Sequence, residues 1–168
     1  LCSRITSGQA AELATRCAHL PLALQIVGQL LREDPTRQVP DVLQQLVQER
    51  ARLEAMRPGE GTMHDLLAAI AVGFRGVDPW SRRLLSRMAV LPLPCDADTL
   101  SALSALPPHA SAFADVLRRL SRSALLDFDA KTGLYRMHEL VRVYAQSQGK
   151  PGHDREVHDL HTAHVTAL

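Results

Sequence analysis

A histidine beside a carboxylate can hold a phosphate, cap a helix or pass a proton, and this chain carries the pairing twice in nearly the same setting. Met63-His64-Asp65 lies in TMHDLL (62–67) and Met137-His138-Glu139 in YRMHELV (135–141). Thr62 and Asp65 stand three apart, the spacing of a capping box, so the first triplet reads as the opening turn of a helix with Thr62 as N-cap and Asp65 as a capping acid. The second follows a short apolar run and precedes a helical pattern. There the unpaired N–H groups and the positive end of the helix dipole let a histidine add a donor to a bound phosphate, although the same residue serves equally as a plain cap.

Three other groupings invite chemistry. Arg118, Arg119 and Arg122 cluster on one helical stretch, and Lys131 sits in the turn after it. In a winged-helix protein these are the recognition helix and the wing, so the set is a candidate DNA contact; arginines on an amphipathic helix also serve as an ordinary solvated face. His153, His158, His161 and His164 suggest a metal, but the spacing 158, 161, 164 drifts around a helix and no thiolate or carboxylate completes a tetrahedral set. No metal site is expected. Cys17 near His19 has the residue types of a nucleophile and its base, yet Cys17 falls on the apolar stripe of its helix and reads as a buried structural thiol. No catalytic residue is expected either, since no G-x-x-x-x-G-K-[ST] loop occurs.

The totals narrow the field. Across 168 residues, 46% are hydrophobic and only 4% aromatic, with Ala and Leu recurring, which favours packed helices over strands. Nineteen basic and eighteen acidic residues (counts 19 and 18) leave a net charge of +1, so no global field draws the chain to nucleic acid or an anionic membrane. The 3 cysteines are odd in number and form no C-x-x-C pair, which argues against a disulfide framework and for a reducing, cytoplasmic setting. No apolar run reaches the roughly 20 residues that span a bilayer. The chain lacks an initiator Met and a signal peptide, as expected of a piece of a longer protein.

The elements that must position these residues follow from periodicity and punctuation. Apolar spacing over 7–31, broken by Pro21, predicts two helices meeting near His19, because proline suits a first turn and not a helix interior. Another amphipathic helix runs over 40–56, and RPGEG (57–61) ends it; this stretch is the expected domain boundary. A helix from 62, one from Asp78-Pro79 to Leu91, a short one over 99–106, a Pro107-Pro108 turn and one over 111–121 come next. ALLDF and GLYRM, separated by DAKT, form a hairpin; a helix over 138–148 and a last helix with no visible partner complete the chain. The expected fold is mainly α: a small helical subdomain (1–57), a winged-helix domain with a short hairpin wing (62–148), and the start of a linker or helix to a downstream domain (149–168).

CAHLPLALQIVGQLL, GVDPWSRRLLSRMAVLP and GLYRMHELVRVYA, in that order, resemble the GLPL segment, the winged-helix opening and the MHD segment of the NB-ARC family, the STAND class of signalling NTPases. The composition and MHELVRVYA look most like its bacterial, SARP-like regulators of secondary metabolism. The resemblance implies that Pro21 lies beside the adenine and ribose of ADP or ATP and that His138 reaches the β-phosphate of ADP. It further implies an upstream nucleotide-binding domain with the phosphate loop and Mg²⁺ site, a downstream sensor such as tetratricopeptide repeats, oligomerisation on activation, no membrane, and no hydrolysis by this piece alone. His19 stands where the family usually has Gly, and Glu139 replaces the usual Asp. The expected function is therefore the regulatory part of an ATP/ADP switch that controls signalling or transcription; the alternative is a DNA-binding winged-helix regulator.

Overall fold

The computed structural model describes residues 5–59, 61–91, 94–104, 110–149 and 153–166. It divides into two compact units, Leu1–Gly76 and Val77–Leu168.

The first unit holds α1 (Ser7–Arg16), α2 (Pro21–Glu33), α3 (Val39–Met56) and α4 (Gly61–Gly76). Thr6 starts α1 with a reciprocal capping box to Gln9. Pro21 and Pro40 sit in the first turns of α2 and α3, where their missing N–H groups cost no helical hydrogen bond. Leu66 and the run from Ala68 to Phe74 are buried on every side of α4, so this helix is the centre of the unit, and α2 and α3 pack against it. Small residues permit that approach: a Cβ on Gly76 would strike Leu30 Cδ1. Ile26, Val27, Leu30, Val42 and Leu46 supply the facing stripes of α2 and α3.

This arrangement differs from the expected division. Residues 57–59 turn after α3, α4 already starts at Gly61, these two helices pack on each other within one unit, and the compact units divide after Gly76. Punctuation in a sequence marks where helices stop; it does not say which helices share a core.

The second unit opens with α5 (Pro79–Met88), capped by Asp78, whose Oδ1 accepts from the N–H groups of Trp80 and Ser81. Then come α6 (Ala97–Ser104), α7 (Ala110–Arg122), the strands β1 (Asp127–Asp129) and β2 (Leu134–Arg136), α8 (Glu139–Ser147) and α9 (His153–Thr166). The strands pair antiparallel with Phe128 opposite Tyr135, and Gly133, at φ 70°, lets the chain turn between them. Cys95 exchanges both backbone hydrogen bonds with Tyr135, adding a one-residue third strand ahead of α6. Helix, strand, helix, helix, hairpin is the winged-helix order, and the mainly helical fold with a short wing is as the sequence predicts. The third strand is too short to leave a periodic signal.

The core of this unit gathers Leu84, Leu85, Met88, Leu100, Leu103, Val116, Leu117, Leu120, Leu125 and Val141. Trp80 and Phe113 meet edge to face at 6.4 Å, fixing α7 against the start of α5. Arg87 is buried and its Nη1 donates to the Leu103 carbonyl at 2.6 Å, so a cation meets the negative end of α6. α9 does have a partner: it packs on α6 and α5, and its Val157 is buried. A stretch of mostly polar side chains conceals one anchoring valine. The Pro107-Pro108 turn and the break at 150–152 lie outside the described residues.

Candidate functional site

The junction between wing and α8 carries the leading candidate, His138. β2 ends at Arg136, Met137 is buried beneath it, and His138 is the exposed N-cap of α8. Its Nδ1 accepts from the Leu140 N–H at 3.2 Å, so a neutral ring in this geometry carries its proton on Nε2, which can serve as a donor. Capping and donation thus use different nitrogens of one ring, and the two readings of this histidine are compatible.

Glu139 does more than replace a shorter acid. Arg142 reaches both of its oxygens, Nε to Oε2 at 2.9 Å and Nη2 to Oε1 at 2.7 Å, while Arg142 Nη1 lies 3.4 Å from the Ala89 carbonyl at the end of α5. The Arg142 hydrogen bonds and charge hold the Glu139 carboxyl below the usual carboxylate range. The sequence reading did not single out Arg142; a basic residue three after an acid on a helix is its only signal.

In the first unit α2 begins at Pro21, as expected, while α1 ends at Arg16, ahead of the expected meeting point near His19. Ala18 and His19 between them take φ 49° and 56°, the left-handed region. That conformation is inexpensive for glycine and strained for a residue with a Cβ, which gives a physical reason for a glycine at the position of His19. Pro21 is exposed at the first turn of α2, and Leu20 supplies no side-chain cap to that turn. Pro21 belongs to the first unit and His138 to the second.

The basic residues of the alternative reading are all exposed: Arg118, Arg119 and Arg122 along α7 and Lys131 at the tip of the wing. Acids accompany them. Arg118 donates to Asp115 at 2.8 Å, Arg119 lies 4.0 Å from Asp78, and Arg136 lies 3.9 Å from Asp129. At this exposure each pair contributes little to stability, but together they lower the positive potential of the face.

The first triplet differs from its expected role. α4 already begins at Gly61, so Thr62 lies inside the helix, and Asp65 turns to α3, where Arg50 Nε pairs with it at 2.6 Å. His64 is 1% exposed and its Nδ1 is 2.8 Å from Glu54 Oε2. The Gly59 N–H and then His64 hold the Glu54 carboxyl below its ordinary range. Nearby, buried Glu49 accepts from Arg75 and Arg52. The pairs Arg50–Asp65, Glu54–His64 and Glu49–Arg75 join α3 to α4.

Cys17 is wholly buried, and burial, with Asp65 second, pushes its thiol up to about 11, which leaves no thiolate to act as nucleophile. Cys95 is pushed up in the same way, by burial first and then Asp96. Among the described residues no group of His, Cys, Asp and Glu converges as metal ligands, while the side chains of His153, His161 and His164 lie outside those described. No helix among the described residues is long and apolar enough to cross a membrane.

No family model matches the chain. It is 29% identical over 138 residues to the regulatory protein AfsR of Streptomyces coelicolor, covering 82% of this chain and 13% of that protein. To the regulatory protein AfsR of Streptomyces griseus it is 29% identical over 139 residues, covering 82% of this chain and 14% of the relative. The chain therefore spans about a seventh of the length of the curated relatives it matches.

Proposed function

We propose that this chain is a control segment of a larger bacterial, cytoplasmic transcription regulator, in which bound nucleotide decides whether the winged-helix unit is held or released. Similarity to two regulatory proteins across 82% of the chain supports the regulatory role. The nucleotide role rests above all on His138, exposed at a helix start with Nδ1 engaged and Nε2–H turned to solvent.

A donor so placed, beside the positive end of α8, suits the terminal phosphate of a nucleoside diphosphate. By the family resemblance Pro21, exposed at the first turn of α2, is a candidate contact for a purine and ribose. An upstream domain of the same protein would carry the phosphate loop and Mg²⁺, and a downstream sensor would bias the exchange. ADP favours the closed state through its contact with His138; ATP, lacking the same contact, favours release and assembly with other copies. This segment brings no phosphate-binding loop of its own, and its part is to respond rather than to hydrolyse.

In the longer protein, His138→Ala is expected to speed ADP release about tenfold, the loss of one charge-assisted hydrogen bond, and to raise basal output. An unchanged release rate would overturn the nucleotide reading.

A second reading, direct DNA contact, is favoured by the exposure of Arg118, Arg119, Arg122 and Lys131 on the recognition helix and wing. It shares the regulatory role. Titrating the chain against duplex DNA at two salt concentrations distinguishes it, because phosphate contacts release counterions and must weaken steeply with salt. Binding that is absent or insensitive to salt ends that reading.

A further inference from the structure

The first turn of α8 is tied down at two places by one side chain. Arg142 spans both oxygens of Glu139, the residue after the histidine cap, and directs its remaining terminal nitrogen to the Ala89 carbonyl. Ala89 is the C-cap of α5, so that carbonyl belongs to the negative end of a helix and attracts a cation. Glu139 lies at the opposite, positive end of α8 and attracts an anion. Each charge therefore meets a helix end of opposite sign as well as its partner. The Arg142 N–H also donates to the His138 carbonyl at 2.9 Å, so the clamp and the cap are parts of the same helical turn.

We infer that Arg142 is a positioning residue: by joining Glu139 to the end of α5, it fixes the start of α8 so that His138 keeps Nδ1 on the Leu140 N–H and presents Nε2–H outward. A cap of this kind depends on the ring and the Leu140 N–H staying at their 3.2 Å separation. Freed from α5, the first turn frays, the cap opens, and the imidazole exchanges between its two neutral tautomers as a solvated histidine does. The planar guanidinium suits the task because it engages a carboxylate with two nitrogens and leaves a third for the carbonyl; a lysine ammonium cannot span the three acceptors at once.

The first test needs only this chain. Long-range ¹H–¹⁵N spectra of the His138 ring should show the Nε2–H tautomer in the native chain and a mixed tautomer pattern in both Arg142→Gln and Glu139→Gln. Two variants are used so that poor folding of one does not decide the matter. Arg142→Lys, which keeps the charge, should restore the native pattern only in part; complete restoration, or an unchanged ring pattern in the glutamine variants, overturns the inference.

The consequence for ligand retention rests on the nucleotide reading, and the longer protein separates the two. If His138→Ala speeds ADP release and Arg142→Gln speeds it by a similar factor, about tenfold, the positioning role is supported. If only His138→Ala does so, the positioning role falls and the nucleotide reading stands. If His138→Ala has no effect, the nucleotide reading falls, and the ring spectra alone decide the role of Arg142.

Discussion

The two Met-His-acid triplets have nearly identical chemistry and opposite burial. In the first, Met63 is 40% exposed and His64 is 1% exposed; in the second, Met137 is 8% exposed and His138 is exposed. The difference is one of phase. Met63, His64 and Asp65 lie inside α4, and the rotation of that helix turns the histidine toward Glu54. Met137 and His138 lie before α8, in extended chain leaving the wing, where alternate residues face opposite ways. Two nearly matching triplets thus become an interhelical tie in one unit and a presented cap in the other. Which role each plays depends on where its helix begins, by as little as four residues.

The methionines offer the sharpest way to break this contrast. Met137→Ala should destabilise the second unit by about 2 to 4 kcal/mol, as large-to-small changes in a core do, whereas Met63→Ala should cost less than about 0.5 kcal/mol. Urea denaturation followed by circular dichroism measures both, and equal costs would remove the phase argument.

For the histidines the order reverses. His64→Ala leaves a cavity and takes a partner from Glu54, so about 2 to 3 kcal/mol should be lost; His138→Ala removes only a cap and should cost about 1 kcal/mol. A larger loss at His138 would place it in the core rather than at the surface.

Comparing the two caps of the second unit refines the picture. Asp78→Ala should cost about 1 kcal/mol at neutral pH. Burial alone would raise the Asp78 carboxyl, but hydrogen bonds from Ser81 and then the charge of Arg119 outweigh it and hold it below the usual range. A carboxyl depressed in the folded state stabilises above its unfolded pKa of about 3.9 and loses that contribution as pH falls further. The variant and native chains should therefore converge in stability in acid, and a gap that persists unchanged at pH 3 (~one unit below that value) contradicts the assignment of Asp78 as an ionised cap.

The smallest effect is expected at the α1–α2 joint. His19→Gly exchanges a strained left-handed residue for one that adopts φ 56° freely, and should stabilise the first unit by about 0.5 kcal/mol after the added flexibility of the unfolded chain is counted. A loss of stability would mean that the His19 side chain contributes contacts larger than its strain.

Much of the fold was legible because its signals are local. Pro21, Pro40 and Pro79 each begin a helix, Asp78 caps one, and DAKT turns the hairpin, since each depends on the conformational limits of a few neighbouring residues. Of the site, the exposure of the α7 arginines was also legible, since they lie opposite the apolar stripe of that helix. Arg142 was not, because its carbonyl partner is 53 residues away. Nor was the burial of Glu49 or Arg87, charged residues that enter a core only when distant groups satisfy them.

By itself, then, the sequence determined which stretches turn helical and which faces are apolar, but not the residue at which α4 starts, since backbone preference and side-chain periodicity act over one or two turns. Only the tertiary structure decided that α4 closes the first unit instead of opening the second, that Cys95 adds a strand to the wing, and that one histidine is locked away while its twin is held out. Those outcomes depend on which surfaces meet, and contact between residues far apart in the chain is paid for by burial that no short stretch encodes alone.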